Sequence, residues 1–236
     1  MQITGRYVHD ALSMAKLDDR GDRVSDLSSE EFVERLIKEP LARVVQQYIF
    51  EGTPFAFRDA PDTLTLLESH LGAALGIQRN DIKLVGSAKM GFSLNPDNFP
   101  RRFGDESDLD VVIVSERLFD LVWHTVLKWN YPRRPPNRLP SPDSRWARDR
   151  RRELYWGWFL PDKIGYEGLS LPDVLVPIRD LSTTWFNAFR SLAQYPELAA
   201  REVSGRLYRT WDLAFLYHLD GLEKLRAVAA QMRAEG

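Results

Sequence analysis

The stretch GDESDLDVVIV, from Gly104 to Val114, joins a cluster of acidic residues to an apolar, β-branched run. The run that begins at Leu109 predicts a buried strand, because such side chains pack well in a sheet. Asp108 and Asp110 lie where this strand begins, and two further carboxylates precede them. These four carboxylates within six positions repel one another unless water screens them or a cation binds them. The stretch is therefore either a solvated acidic turn or a cation site.

Side chains along a strand point alternately to its two faces, so Asp108 and Asp110 share one face. Val112 and Val114 continue that face, and the other face is also apolar. Apolar residues on both faces are typical of a central, covered strand. We therefore expect the two carboxylates to lie close together and partly desolvated at its start. A divalent cation would relieve their repulsion, and oxygen ligands alone favour Mg²⁺ or Mn²⁺ over zinc.

The composition is that of an ordinary globular protein, with 236 residues, 44% of them hydrophobic, and a net charge of −2. No global field therefore indicates a nucleic-acid or membrane partner. The absence of cysteine excludes disulfides, thiolate zinc sites and cysteine nucleophiles. We expect no signal peptide, no transmembrane helix and no membrane partner, and a cytoplasmic location.

Helices are predicted on both sides of the opening stretch. A first helix can be capped by Ser28 or Ser29 and is broken at Pro40. A second helix is expected between a cap at Asp62 and a stop at Gly76. The segment ERLFDLVWHTVLKW and the chain from about residue 181 onward are also predicted to be mainly helical.

Two further segments predict strands, which are Ile82 to Val85 and LPDVLVPIRD at 171–180. Together these elements predict an α+β fold, in which a mixed-sheet core is flanked by N- and C-terminal helices. The expected divisions are an N-terminal helical region at 1–80, a core at 81–180 and a C-terminal helical region at 181–236 packed on the core.

The sequence LVGSAKMGFS, at 84–93, places a Gly-Ser turn at the end of the first predicted strand. A glycine turn that opens a helix presents backbone N–H groups, and the Ser87 hydroxyl adds a further donor. Gly86 and Ser87 could therefore hold a phosphate, although the same pair is also common as a simple turn. No GxxxxGK[ST] motif is present, so this is not a P-loop.

The combination of these motifs resembles the DNA polymerase β-type nucleotidyltransferase superfamily. The pattern of that superfamily is hG[GS], a spacer and hD[hx]Dh, where h is a hydrophobic residue and x is any residue. The resemblance covers residues 82–114. The GS-x-x-x-G form followed by SDLD is similar to minimal nucleotidyltransferases of toxin–antitoxin modules and to oligonucleotide second-messenger synthases of antiphage defence. The spacer is longer than in the minimal members, so NPDNFPRRFGDE is predicted to be an inserted hairpin or loop.

The resemblance implies a nucleotidyltransferase-like core and a two-metal site. Asp108 and Asp110 would hold two Mg²⁺ (or Mn²⁺) ions that bridge the triphosphate of an NTP substrate. A third carboxylate from a later strand would complete the site, and Asp173 is preferred because it opens the apolar run VLVPI. The residues expected to bind phosphate are Gly86, Ser87 and Lys89, and the alternatives to Asp173 are Asp162, Asp180 and Glu153.

The leading hypothesis is the transfer of an NMP unit from an NTP to a hydroxyl acceptor, which is a nucleotide, an RNA end or a protein side chain. The setting in antiphage defence or toxin–antitoxin control rests on motif form alone. A second hypothesis is a catalytically weak nucleotide-binding antitoxin or regulatory subunit that holds a partner protein of a two-gene module. A third is a solvated acidic turn in an unrelated α/β protein.

An arginine-rich segment, 133–152, carries eight arginines against only Asp143 and Asp149. One interpretation is a lid that covers either the triphosphate or an acceptor RNA, since arginine binds phosphate bidentately. The other interpretation is a solvated loop followed by a charged helix face. The resemblance also implies a base-stacking residue in the C-terminal region, for which the candidates are Arg206, Tyr208 and His218.

Overall fold

The computed structural model describes residues 27–131, 141–164 and 172–235 of the chain. In these ranges the protein is α+β, as predicted, with a small mixed sheet among helices. The strands are β1 (Ile82–Val85), β2 (Leu109–Val114), β3 (Trp158–Phe159) and β4 (Val203–Tyr208). The α-helices are α1 (Ser29–Lys38), α2 (Leu41–Val44), α3 (Pro61–Leu75), α4 (Gly86–Met90), α5 (Glu116–Asn130), α6 (Ser141–Tyr155), α7 (Val176–Arg190), α8 (Pro196–Ala199) and α9 (Trp211–Glu235).

The first predicted helix is confirmed, together with its cap. Ser28 Oγ accepts a hydrogen bond of 3.2 Å from the Glu31 amide, and the Glu31 carboxylate accepts one of 2.9 Å from the Ser28 amide. This reciprocal pair satisfies two amides that a helix start leaves unpaired. The break at Pro40 is confirmed as well, whereas the cap expected at Asp62 is wrong, because α3 already begins at Pro61.

The sheet has the strand order β1-β2-β4-β3, so β2 is an interior strand. Its residues from Val111 to Val114 are all buried, which confirms the prediction of a central strand covered on both faces. The Ser115 amide donates a 3.0 Å hydrogen bond to the Tyr208 carbonyl and joins the carboxyl ends of β2 and β4. β3 pairs antiparallel with β4.

The strand predicted at 171–180 is wrong. Residues Asp173–Leu175 form a turn of 3-10 helix, and α7 follows directly. Pro177 lies in the first turn of α7, where its missing amide costs nothing. The apolar run then continues with helical spacing, because the buried residues of α7 are Ile178, Leu181, Trp185 and Ala188.

The described residues fall into two compact units. One contains 27–62, 84–110 and 215–235, and the other contains 63–83, 111–131, 141–164 and 172–214. The divisions expected near residues 80 and 180 stay predictions. No helix in the described part of the chain is both long and apolar enough to cross a membrane.

Candidate functional site

The Gly-Ser turn after β1 lies against a carboxylate of β2. Gly86 has a φ of +67°, and a Cβ atom built on it would lie 2.9 Å from Asp110 Oδ2. Real side chains do not reach this distance without a shift, and a positive φ disfavours any residue with a Cβ. Glycine is therefore the residue that lets the turn and the carboxylate approach this closely. The two motifs identified in the sequence meet at this contact.

Asp108 and Asp110 stand where β2 begins, and both are exposed. The partial desolvation expected for them is therefore wrong. Leu109 between them is fully buried, so the alternation expected of a strand holds at this point. The pair combines a buried backbone with solvent-facing carboxylates, which is an arrangement that can bind a hydrated cation.

The chain between α4 and β2 forms a closed loop, as the predicted insertion requires. Phe92 and Arg102 form an antiparallel bridge. The Ser93 amide donates to the Arg101 carbonyl at 2.8 Å, and the Phe103 amide donates to the Gly91 carbonyl at 2.9 Å. These bonds bring the two ends of the insertion together, so its length does not displace Asp108 from the start of β2.

Lys89 does not have the placement expected of a phosphate ligand. Its side chain is only 1% exposed. Its ammonium donates to the carbonyl of Glu51 and, at 2.6 Å, to that of Gly52. These carbonyls follow the π-helical turn Val45–Phe50, so Lys89 fastens α4 to that turn. We assign Lys89 a structural part.

Asp173 is exposed on a 3-10 turn and not on a strand. The strand beside β2 on the side away from β1 is β4, whose sequence VSGRLY contains no carboxylate. Within the described ranges no group of three or more His, Asp or Glu residues is gathered closely enough to hold a metal ion. The described residues thus bring Asp110 to Gly86 but add no third acid, whether Asp173, Asp162, Asp180 or Glu153.

Glu153 belongs to a different cluster. It forms an ion pair with Arg150 at 2.8 Å on the inner face of α6. Burial raises the pKa of the Glu153 carboxyl, and the Arg150 guanidinium partly opposes this. The pair is an i,i+3 contact within α6, and both side chains lie mostly out of solvent.

The three residues proposed to stack a base are placed differently from one another. Tyr208 is buried at the end of β4, and the Arg206 guanidinium lies 4.5 Å over the ring of Trp158. His218 packs edge-on against Phe50 at 5.3 Å. Tyr208 therefore has no free ring face, while Arg206 and His218 are half-buried.

One exposed group was missed in the sequence. Tyr155 and Trp156 are 81% and 58% exposed at the end of α6, directly after the described arginines. The sequence feature that could have revealed this group is the spacing of Arg148, Arg151 and Tyr155, because it places these three residues on one helical face.

Three comparisons with known proteins found no match: no family model, no curated protein and no solved structure resembles the chain significantly.

Proposed function

We propose that the protein is a metal-dependent nucleotidyltransferase, which moves an NMP unit from an NTP to a hydroxyl acceptor. One observation carries the proposal. The glycine of the Gly-Ser turn lies against the carboxylate of Asp110, with a Cβ position only 2.9 Å from Oδ2. A phosphate held by the turn would lie beside the carboxylates that bind its counter-cation.

The donor set fits Mg²⁺ or Mn²⁺. Asp108, directly before β2, and Asp110, within β2, are exposed and offer only oxygen atoms. When bound, such an ion supplies neutralisation of the triphosphate charge. The two carboxylates would hold the ion, and the Gly86-Ser87 turn would hold the phosphate.

The reaction forms a bond between the acceptor oxygen and the α-phosphorus and breaks the bond from that phosphorus to the bridging oxygen of pyrophosphate. The acceptor hydroxyl loses its proton, and pyrophosphate leaves with the electron pair. This chemistry depends on positioning and charge neutralisation more than on covalent help from the protein. A short, rigid contact between turn and strand is suited to positioning.

A second candidate is a nucleotide-binding antitoxin or regulatory subunit with weak catalysis. A specific observation favours it, because no third carboxylate joins Asp108 and Asp110 among the described residues. Such a protein would bind Mg²⁺ and an NTP but transfer the nucleotide slowly or not at all. It would act by holding a partner protein.

The decisive experiment is incubation with each NTP and dNTP, radiolabelled at the α-phosphate, in Mg²⁺ or Mn²⁺. Products are resolved by chromatography and on a gel, which separates labelled nucleotides, RNA and protein. The variants Asp108→Asn and Asp110→Asn should lower transfer at least about a hundred-fold, since metal ligands carry the charge stabilisation. Glu106→Gln is the matched control, because Glu106 is an exposed carboxylate of the same stretch outside the Asp108-Leu109-Asp110 motif.

The proposed transferase activity would be supported if wild type and Glu106→Gln form labelled product and the two Asp variants do not. The labelled product would also identify the class of the acceptor. Thermal stabilisation by Mg²⁺–NTP without transfer would favour the regulatory subunit. If neither transfer nor stabilisation occurs, the acidic stretch is a solvated turn and both proposals are wrong.

A further inference from the structure

The outer face of α6 combines arginines with exposed aromatic rings. Arg148, Arg151, Arg152 and Tyr155 are all exposed and follow the spacing i, i+3, i+4 and i+7. This spacing places their side chains in one stripe along the helix. Trp156 follows directly, so the stripe ends in two neighbouring rings. We call these five residues the α6 stripe.

The opposite face of α6 is anchored in the protein. Trp146 is buried, packs edge-on against Trp129 at 5.1 Å and donates from its indole nitrogen to the Ile164 carbonyl at 3.1 Å. Arg150 and Glu153 form their ion pair on the same side. The α6 stripe is therefore the solvent face of a fixed helix.

The charge of the α6 stripe is positive although the whole chain is slightly acidic. Glu153 is turned inward to Arg150, so it does not offset the stripe. Asp149 lies beside the stripe, and its carboxylate is 3.3 Å from Arg148 Nε. Arg148 stays 70% exposed, so a phosphate can compete for it.

The two rings of the stripe are held on a fixed turn. Tyr155 and Trp156 contact each other edge-on at 5.3 Å, and the Trp156 amide donates to the Arg152 carbonyl at 3.2 Å. The next residue, Gly157, is buried, and its carbonyl accepts from the Arg209 amide at 3.0 Å. Large exposed rings beside cations commonly mark a binding surface. Since this turn is fixed, little entropy is lost when a ligand stacks on it.

We propose that the α6 stripe binds a single-stranded polynucleotide. The guanidinium groups of Arg148, Arg151 and Arg152 bind phosphates, and the rings of Tyr155 and Trp156 stack on bases. The stripe extends about 10 Å along the helix axis, which is enough to follow a short run of backbone. A single strand fits better than a duplex, because its bases are free to leave their own stack. This proposal does not depend on nucleotidyl transfer.

The test is fluorescence anisotropy of labelled oligo(U) and oligo(dT) of about 20 nucleotides, titrated with the full-length protein without NTP or metal. Changing Tyr155 and Trp156 together to alanine should weaken binding about five-fold or more, because stacking on an aromatic ring is a main source of affinity. Changing the three arginines to alanine should lower the slope of log K against log salt by about 2, since each phosphate contact on a single strand contributes about 0.7.

The matched controls lie on another helix of the same unit. Phe186 is a 55% exposed ring of α7 and Arg190 an exposed cation, so Phe186→Ala and Arg190→Ala should leave binding unchanged. Asp149→Asn should strengthen binding, because it frees Arg148 from its carboxylate. Circular dichroism and thermal melts check that each variant folds.

Binding of either oligonucleotide that falls only in the stripe variants would support the proposal, and a preference between the two would name RNA or DNA as the ligand. Absence of binding to both, at about 50 mM salt, would overturn it. Equal loss in Phe186→Ala and Arg190→Ala would also overturn it. Because this binding is measured without NTP or metal, a failure of nucleotidyl transfer and a failure of this proposal are distinguishable.

Discussion

Two glycine turns support the two charged regions of this molecule, and they do so in different ways. Gly86 has a φ of +67° and faces the carboxylate oxygen of Asp110 at a Cβ distance of 2.9 Å. Gly157, directly after the rings of Tyr155 and Trp156, has a φ of +76°, and a Cβ atom built on it would clash with the Leu213 side chain. One turn contacts a candidate functional group, and the other contacts a half-buried leucine.

The different surroundings of Gly86 and Gly157 predict different effects of adding a side chain at each. A side chain added at Gly86 meets the end of an exposed carboxylate, that of Asp110. A side chain added at Gly157 meets three carbon atoms of the half-buried Leu213 side chain, which must then shift as a whole. Substitution at Gly86 should therefore damage the site more than the fold, and substitution at Gly157 should do the reverse.

The largest expected effect on stability is that of Gly157→Ala. The positive φ costs about 1–2 kcal/mol for any residue with a Cβ, and overpacking against Leu213 adds about 1–3 kcal/mol. We expect the free energy of unfolding to fall by about 2–5 kcal/mol in urea titrations.

Gly221→Ala is the control for Gly157→Ala. Gly221 lies within α9, and a Cβ built there meets no atom within 4 Å. Alanine favours a helix interior by about 0.5–1 kcal/mol over glycine, so this variant should be stabilised. A destabilisation of Gly157→Ala below about 0.5 kcal/mol would mean that the Leu213 contact adapts freely, and the contrast between the two turns would be lost.

The second effect is that of Gly86→Ala, for which we expect a loss of about 1–3 kcal/mol and the loss of any thermal stabilisation by Mg²⁺–NTP. A double-mutant cycle with Asp110→Ala sharpens the comparison. Removal of the carboxylate should reduce the cost of Gly86→Ala by about 0.5 kcal/mol or more, because the short contact disappears. If Gly86→Ala cost the same in both backgrounds, its destabilisation would come from backbone conformation alone. The contact between Gly86 and the Asp110 carboxylate would then contribute nothing to it.

β2 could be predicted because its local pattern and its environment agree. The run after Asp110 is β-branched on both faces, and the strand is interior. The run after Asp173 is also apolar, but Pro177 suits the first turn of a helix. The buried residues Leu181 and Trp185 follow helical spacing, which a short apolar run does not reveal.

Other features depend on contacts that are distant along the chain. Lys89 is bound to carbonyls 37 and 38 positions away, so no local spacing could show that its ammonium is occupied. β4 was missed because VSGRLY contains a glycine and an arginine within it. That glycine, Gly205, is explained only by the fold, since a Cβ there would lie 2.5 Å from the Phe189 ring. The contact of Gly86 with Asp110 was expected only through the family resemblance.

A smaller effect on stability is expected for Asp110→Asn. Neutralisation relieves the repulsion among neighbouring carboxylates, so the free energy of unfolding should stay equal or rise by up to about 1 kcal/mol, while stabilisation by Mg²⁺ should be lost. Urea titrations with and without Mg²⁺, beside Glu106→Gln, measure both. Loss of folding in Asp110→Asn would show that the carboxylate is structural, and Gly86 would then face a packing group just as Gly157 does.

The smallest effect is expected in the basic region, at Glu153. Burial raises the pKa of its carboxyl above the ordinary value of 4.5, while Arg150 acts in the opposite direction. The folded state therefore binds more protons than the unfolded state, and the contribution of Glu153 to stability is fully present below pH 4.5 and is lost as the pH rises through the raised pKa. In Glu153→Gln this part of the pH dependence should disappear from the free energy of unfolding. In Arg150→Gln it should extend to higher pH, because the opposing cation is gone. Identical pH profiles for wild type and Glu153→Gln would mean that the effect of burial on the pKa of this carboxyl is fully offset by the Arg150 guanidinium, and the raised pKa would be wrong.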